Sequence, residues 1–307
     1  MGEDKVKFRK ELNTLDPLER FSVNAINTME NKKLYLKNSK FCPDCWLLKD
    51  FCSCFLGKES KIQITNHVWI YMHYREYGRS TNTGLTMYQI LGEHASLVMY
   101  GNLEEEKKMI DTINSQQQNT FVLFPSSDSI TFEEYKNQRN SAIDPEKQKE
   151  EQNTSYNIII LDATWKQAKA MLRHLPTGIT RIKLGTLKTT ISKLRKQTSP
   201  DRVTSAEATV QLLEEMKESP EAVAQIWDCI EKRIDHADRQ SGRISLAKPN
   251  VNNWDEKQLK DAQAKQKKRK LSSPDAEGSK DDETKNKKPN LETDQPQITQ
   301  DNPSHNI

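Results

Sequence analysis

The chain has 307 residues, with 47 Lys and Arg against 44 Asp and Glu, and a formal net charge of +3. Its hydrophobic fraction of 34% and mean hydropathy of −0.88 are low for a chain that folds along its whole length, so we expect a disordered part. No membrane-spanning segment or signal peptide is expected, which predicts a cytosolic or nuclear protein whose nucleic-acid affinity comes from local basic patches.

The N-terminal part divides into two segments. Residues 1–38 are polar and charged, and we expect an irregular extension there, although Leu12, Leu15, Leu18 and Phe21 show some helical periodicity. Residues 39–60 contain four of the five cysteines, which are Cys42, Cys45, Cys52 and Cys54. In a reducing compartment such density favours a metal site over disulfides, with free or redox-active thiols as the alternative. Four thiolates complete a tetrahedral shell around Zn²⁺, so the predicted site is structural.

The body of the protein is predicted at residues 61–247, where strands alternate with helices. A strand at 67–73 leads into the small polar loop 80–84, which is followed by a short helix at 85–91. Next in order come a helix at 104–113, a strand at 121–124 and a polar surface insertion at 137–155. The small residues of loop 80–84 fit either a close approach to a ligand or a simple turn.

An unbroken apolar run, Ile158 to Leu161, is too hydrophobic for a strand with one solvated face. It predicts a central strand of a parallel sheet that is covered on both faces. Asp162 follows at its carboxyl end, where α/β sheets bind ligands, and a helix begins at once. The alternative is that Asp162 merely caps this helix.

Further elements complete an α/β domain with a parallel sheet. A strand is predicted at 181–184, and Thr204 and Glu207 have the spacing of a capping box that starts a helix. Ser219 and Pro220 start the last helix. Residues 248–307 are nearly free of apolar side chains and predict a disordered charged tail. A basic cluster at 265–270 is either a nuclear-localisation or nucleic-acid segment or a solvated charge run.

Five motifs occur in order over about residues 40–240. They are the cysteine cluster, Ser80-Thr81-Asn82-Thr83-Gly84, Leu123-Phe124-Pro125-Ser126, Asp162-Ala163-Thr164-Trp165 with Gln167-Ala168, and Arg195-Lys196-Gln197 with Thr204-Ser205-Ala206-Glu207-Ala208. Together they resemble the motifs of the DTW-domain family, the tRNA-uridine aminocarboxypropyltransferases. The resemblance implies a SPOUT-like domain with a knotted C-terminal half.

The resemblance also implies a reaction and a set of site residues. S-adenosylmethionine is expected to donate its 3-amino-3-carboxypropyl group to N3 of a uridine in tRNA. Asp162 is the candidate for taking the N3 proton or for binding the cofactor's ammonium. Thr164 is expected to bind the cofactor or hold Asp162, and Trp165 to stack on a base or serve as a core wall. The implied cofactor contacts are Ser80, Asn82, Thr83, Gly84, Phe124, Pro125, Ser205, Ala206 and Glu207.

An RNA contact is predicted at Lys193, Arg195 and Lys196, because cations near the carboxyl end of the sheet can neutralise phosphates. Two other functions stay open at this point. A base methyltransferase would use the same cofactor in another orientation. A zinc-containing RNA-binding module without catalysis would need no carboxylate at Asp162.

Overall fold

The computed structural model describes residues 12–59, 62–141, 154–185 and 203–241. The helices are α1 Pro17–Lys37, α2 Phe55–Glu59, α3 Gly84–Leu91, α4 Leu103–Ser115, α5 Phe132–Ser141, α6 Trp165–Leu172, α7 Ser205–Glu215 and α8 Pro220–Gln240. The strands are β1 His67–His73, β2 Ala95–Tyr100, β3 Thr120–Leu123, β4 Asn157–Asp162 and β5 Thr180–Ile182. The predicted tail, its basic cluster and the residues Lys193, Arg195 and Lys196 lie outside the described ranges.

A five-stranded, fully parallel sheet forms the centre of the protein, in the order β2-β1-β4-β3-β5. The middle strand is β4, and all six of its residues are buried. The predictions of an α/β domain and of a covered central strand at 158–161 are therefore confirmed. Met72 pairs with Asp162, and Leu123 pairs with Ile160. The carboxyl ends of the parallel strands therefore lie at one edge of the sheet.

Helices cover both faces of the sheet, and alternate residues of β4 point to each. Ile158 and Ile160 are buried in a core with side chains of α3, α7 and α8. Ile159 and Leu161 are buried in a second core with α4 and α6. Because alternate residues of a strand share a face, the side chain of Asp162 points to the same face as Ile158 and Ile160, which α3, α7 and α8 cover. No described helix has the length and apolar character of a bilayer span.

The connections from the two adjacent strands β1 and β4 run in opposite directions. The chain leaves β1 through α3 for the edge strand β2, and it leaves β4 through α6 for β5 at the other edge. Such a reversal opens a crevice between the carboxyl ends of the two strands, where α/β proteins bind ligands. The loop before α3 and the end of β4 therefore meet at the position that favours a binding site.

The N-terminal extension is not irregular as predicted, because it contains the long helix α1. Asp16 caps it by accepting the N–H of Leu18 at 2.8 Å, and Pro17 occupies the first turn. Ala25 is buried so closely against Gly101 that a Cβ at residue 101 would lie 2.5 Å from the Ala25 Cβ. Leu34 and Tyr35 of α1 are exposed while Ser22 is buried, which weakens the periodicity that predicts a helix.

Strand β2 and helix α5 were also not predicted. Strand β2 lies at the sheet edge, where β1 is its one neighbour among the described strands, and its sequence signal is the apolar run 97–100 between Gly92 and Gly101. Helix α5 extends into the predicted insertion at 137–155, of which residues 142–153 lie outside the described ranges. Its start shows a capping pair, since Glu134 accepts the N–H of Thr131 at 2.7 Å.

Candidate functional site

The carboxylate of Asp162 lies at the crevice between β1 and β4 and is only 5% exposed. Ser205 Oγ, from the start of α7, donates to Oδ1 at 2.8 Å. Asn82 Nδ2, from the loop before α3, donates a short hydrogen bond to Oδ2. Two segments that are distant in sequence therefore meet on one buried side chain. Sequence reasoning selected all three residues but did not predict these contacts.

Burial raises the pKa of Asp162 above its ordinary value. Hydrogen bonds from Asn82, Ser205 and the backbone N–H of Gly84 oppose this rise, as does the charge of Arg79. A carboxylate offers about four acceptor positions, and these three donors occupy three of them. One acceptor position is not used by these three donors. The carboxylate can therefore accept a proton or one further hydrogen bond.

Asp162 does not cap the following helix. Thr164 is the N-cap of α6 and forms a capping box with Gln167. The Thr164 hydroxyl donates to Gln167 Oε1 at 2.7 Å, and the Thr164 N–H donates to the same oxygen at 2.9 Å. The capping alternative for Asp162 is therefore wrong. Thr164 is exposed, and its hydroxyl pairs with Gln167 instead of holding Asp162.

Trp165 is 37% exposed and packs against Phe124, with 5.4 Å between the ring centroids. Phe124 belongs to the core that α4 and α6 cover, on the other face of the sheet from the Asp162 side chain. Pro125 follows and is exposed. These residues lie at the same sheet edge as Asp162 but on its opposite side, so their predicted roles toward a base or cofactor stay predictions.

The loop of residues 80–84 is shaped around Asp162. Asn82 is buried, and its Oδ1 accepts the N–H of Leu85 at 2.7 Å, which directs its NH₂ group toward Asp162. Gly84 passes directly beside the carboxylate. A Cβ at residue 84 would lie 2.5 Å from Asp162 Cγ, so no larger residue fits without movement. The loop is thus more than a simple turn.

Gly84→Ala is expected to lower the free energy of unfolding by about 1–3 kcal/mol, because the added methyl group overlaps Asp162. Urea denaturation measures this change. Gly185→Ala is the matched control, since a Cβ there would meet Glu215 Oε1 at an ordinary 3.5 Å. Equal stability of the two variants would show that the loop relaxes easily away from Asp162.

The start of α7 contributes both a cap and a site residue. Glu207 is fully buried and accepts the N–H of Thr204 at 2.8 Å, which confirms the predicted capping box. Thr204 fixes the start of the helix. Ser205 comes next, so its hydroxyl is placed to reach Asp162.

Ala206 lines a small pocket whose other walls are Ser80, Thr81, Asn82, Thr83, Thr86, Ile230, Arg233 and Ile234. The lining of this pocket therefore combines hydroxyl-bearing residues with apolar ones and Arg233.

The four N-terminal cysteines form a compact cluster. Their sulfur atoms all lie within 4.8 Å of one another, and three of the Sγ–Sγ distances are 3.6–3.7 Å. A tetrahedral zinc site with Zn–S bonds of about 2.3 Å has sulfurs about 3.8 Å apart. Burial and the neighbouring sulfurs raise the pKa of Cys54, a penalty that a divalent cation would relieve. Cys42, Cys45, Cys52 and Cys54 are thus positioned to bind a metal ion.

Arg233 was not among the predicted site residues. In the sequence it is one of several charged residues of a helix, next to Lys232. In the structure it is 4% exposed, lines the pocket and contacts the cysteine segment. The one available signal was its place in α8, three residues after the buried Ile230 and next to the buried Ile234, and this spacing alone does not separate buried from exposed cations.

Comparison with known proteins gives one match. The family model described as DTW domain matches residues 39–237, which include the cysteine cluster, Asp162 and Ser205. No curated protein and no solved structure matches the chain.

Proposed function

Since the chain belongs to the DTW-domain family, we propose that it is a tRNA-modifying enzyme that transfers the 3-amino-3-carboxypropyl group of S-adenosylmethionine to N3 of a uridine. The observation that carries this proposal is the convergence of Asn82, Asp162 and Ser205 at the crevice. In the reaction the N3–C bond forms as the C–S bond of the sulfonium breaks. Methylthioadenosine leaves, and the N3 proton goes to a base.

The residues around Asp162 fit the polar end of S-adenosylmethionine, which supplies an electrophilic carbon next to its sulfonium. The small pocket beside Asn82 includes Ser80, Thr81 and Thr83, whose hydroxyls are possible partners for an amino-acid group. Asp162 retains one acceptor position, which suits either the cofactor's ammonium or the N3 proton of the uridine. Because burial raises its pKa, Asp162 is a stronger base than an exposed aspartate.

Selectivity between carbons must come from orientation, since the methyl carbon of the sulfonium is the least hindered. A rigid loop supports such orientation, and the 80–84 loop is fixed by the bonds of Asn82 to Leu85 and Asp162. Ser205 adds a third fixed contact from α7.

Product analysis tests the proposal. The full-length protein, S-adenosylmethionine and unmodified tRNA are incubated, and the nucleosides and cofactor products are separated by mass spectrometry. We expect 3-(3-amino-3-carboxypropyl)uridine together with methylthioadenosine. S-adenosylhomocysteine with a methylated base would instead identify a methyltransferase. Binding of tRNA without either product would identify a non-catalytic RNA-binding module.

A basic surface beside the site supports tRNA as the substrate. Lys166, Lys169 and Arg173 lie exposed on one face of α6, which begins directly after Asp162. None of the three has an ion-pair partner within the described part of the chain. Arg75, also exposed, lies over the ring of Tyr74 at 5.6 Å after the end of β1. Unpaired cations near the sheet edge suit contacts with RNA phosphates.

Replacing Lys166, Lys169 and Arg173 together by Gln is expected to weaken tRNA binding by about 10-fold or more near physiological salt. The slope of log K against log salt should fall by about 2, since each lost phosphate contact removes about 0.7–0.9. Fluorescence anisotropy at several salt concentrations measures both quantities. Lys107→Gln with Lys108→Gln on α4 is the control, because these exposed residues lie on another helix. An unchanged slope in the α6 variant would exclude this surface.

A further inference from the structure

A single buried guanidinium connects the cysteine cluster with the loop beside Asp162. Arg233 Nη2 donates to the carbonyl oxygen of Cys45 at 2.9 Å and to that of Ser80 at 3.0 Å. Cys45 is one of the four candidate metal ligands, and Ser80 begins the loop that contains Asn82 and Gly84. The two carbonyls therefore hold one cation between them.

The rest of α8 and the neighbouring α3 fix the cysteine segment in place. Gln240 Oε1 accepts the N–H of Leu48 at 2.6 Å, and the ring of His236 lies 3.0 Å from the carbonyl of Phe51. On the other side, Gln89 of α3 donates to the carbonyl of Asp44 at 3.0 Å. Helix α3 follows the 80–84 loop directly, and Arg233 of α8 binds Ser80 of the same loop. The cysteine segment therefore contacts both helices that hold the loop.

The charge of the cysteine cluster, which depends on the bound metal, affects how well Arg233 is stabilised between Cys45 and Ser80. A zinc ion with four thiolates has a net charge of about −2, which can compensate a buried cation. Arg233 is almost completely buried, and negative charge on the four cysteines favours its protonated form. A metal-loaded cluster thus stabilises the guanidinium in the position from which it holds Ser80.

We propose that Arg233 is a positioning residue that couples metal binding at the four cysteines to the geometry of the 80–84 loop, and thereby to the affinity for S-adenosylmethionine. This inference rests on the proposed function. Coupling of this kind is reciprocal, so a ligand that orders the loop also strengthens retention of the metal.

Zinc release from the full-length wild-type protein provides the first test. The protein is mixed with a chelating dye, with and without saturating S-adenosylmethionine, and the release rate is followed by absorbance. We expect release to slow by about 5-fold or more, within the usual range of coupling between sites. The same rate under both conditions would overturn the proposal.

Substitution of Arg233 provides the second test. Arg233→Met should retain zinc but bind S-adenosylmethionine about 10-fold more weakly in calorimetry, and the cofactor should no longer slow its zinc release. Arg233→Lys should be intermediate, since one ammonium cannot match the planar guanidinium at both carbonyls. Arg239→Met is the control, because Arg239 is on the same helix but exposed and paired with Asp235 at 2.7 Å.

Unchanged cofactor affinity in Arg233→Met would contradict the proposal. In steady-state kinetics a positioning role raises the KM for S-adenosylmethionine more than it lowers kcat, and a change in kcat alone would also contradict it. If Arg233→Met does not fold, the zinc-release measurement on wild type decides. If wild-type protein binds no S-adenosylmethionine at all, the proposed function itself fails, which is a separate result.

Discussion

Asp162→Asn is expected to lower the transfer rate by about 100-fold or more while leaving the protein folded. An amide keeps the shape of the carboxylate but neither takes a proton nor attracts an ammonium. It also fits the contacts, since its oxygen can accept from Asn82 while its NH₂ donates to Ser205, whose hydroxyl can rotate. Single-turnover measurements of the modified uridine give the rate.

The difference in stability between this variant and wild type should depend on pH in a defined direction. Burial raises the pKa of Asp162, so the folded state binds the proton more tightly than the unfolded state. The protonated carboxyl therefore stabilises the fold at low pH, and this contribution is lost as the pH rises through the raised pKa. Asn resembles the protonated form at every pH. The variant should thus gain stability relative to wild type as the pH rises above the ordinary pKa of an aspartate, about 4, as thermal unfolding at several pH values would measure.

Two companion variants separate the roles of Asp162. Asp162→Ala leaves the donors of Asn82 and Ser205 without their acceptor and should lose about 2–3 kcal/mol of stability. Asp111→Asn on the exposed side of α4 is the control for a lost charge. In Asp162→Asn, unchanged cofactor affinity with lost turnover indicates a base, and lost affinity indicates ammonium binding. Near-normal transfer would mean that the carboxylate only holds the two loops together.

Removal of the metal should have the second large effect. The purified protein is expected to contain about one zinc per chain, and Cys45→Ser should lower the free energy of unfolding by about 3 kcal/mol or more. Cys45 is fully buried, and its segment docks on α8 through Leu48 and Gln240. Elemental analysis and urea denaturation, with and without a chelator, measure both quantities.

Cys229→Ala is the matched control, because this buried cysteine lies on α8 outside the cluster. Its zinc content should equal that of wild type. A metal-free wild-type protein whose stability does not change on adding a chelator or zinc would refute the structural metal site.

The sequence predicted the parts of the fold whose signals are local. The apolar run ending at Asp162 predicted the central strand, and the spacing of Thr204 and Glu207 predicted the cap of α7. The spacing of the cysteines likewise predicted a cluster. In each case neighbouring residues alone determine the geometry, so a single segment contains the information.

Other features depend on contacts between distant segments. The amphipathic signal of α1 is weak because apolar side chains such as Leu34 are exposed while Ser22 is buried. Ala25 packs closely because Gly101 has no side chain. Ser205 and Asn82 carried no sign that they would bond to Asp162, since either side chain suits a turn or cap equally well. In the sequence Arg233 resembles a surface cation, and only the packing of α8 against the cysteine segment buries it. The order of the strands brought these groups together.

The docking of the cysteine segment on α8 has a consequence for biosynthesis. Leu48 and its partner Gln240 are 192 residues apart, so at about 5–20 residues per second the ribosome makes the second roughly 10–40 s after the first. During this interval the cysteines emerge without the helix that later covers them. The thiols are therefore not yet covered by α8 in this interval, and a metal ion bound early to the four cysteines would protect them from oxidation until synthesis reaches α8.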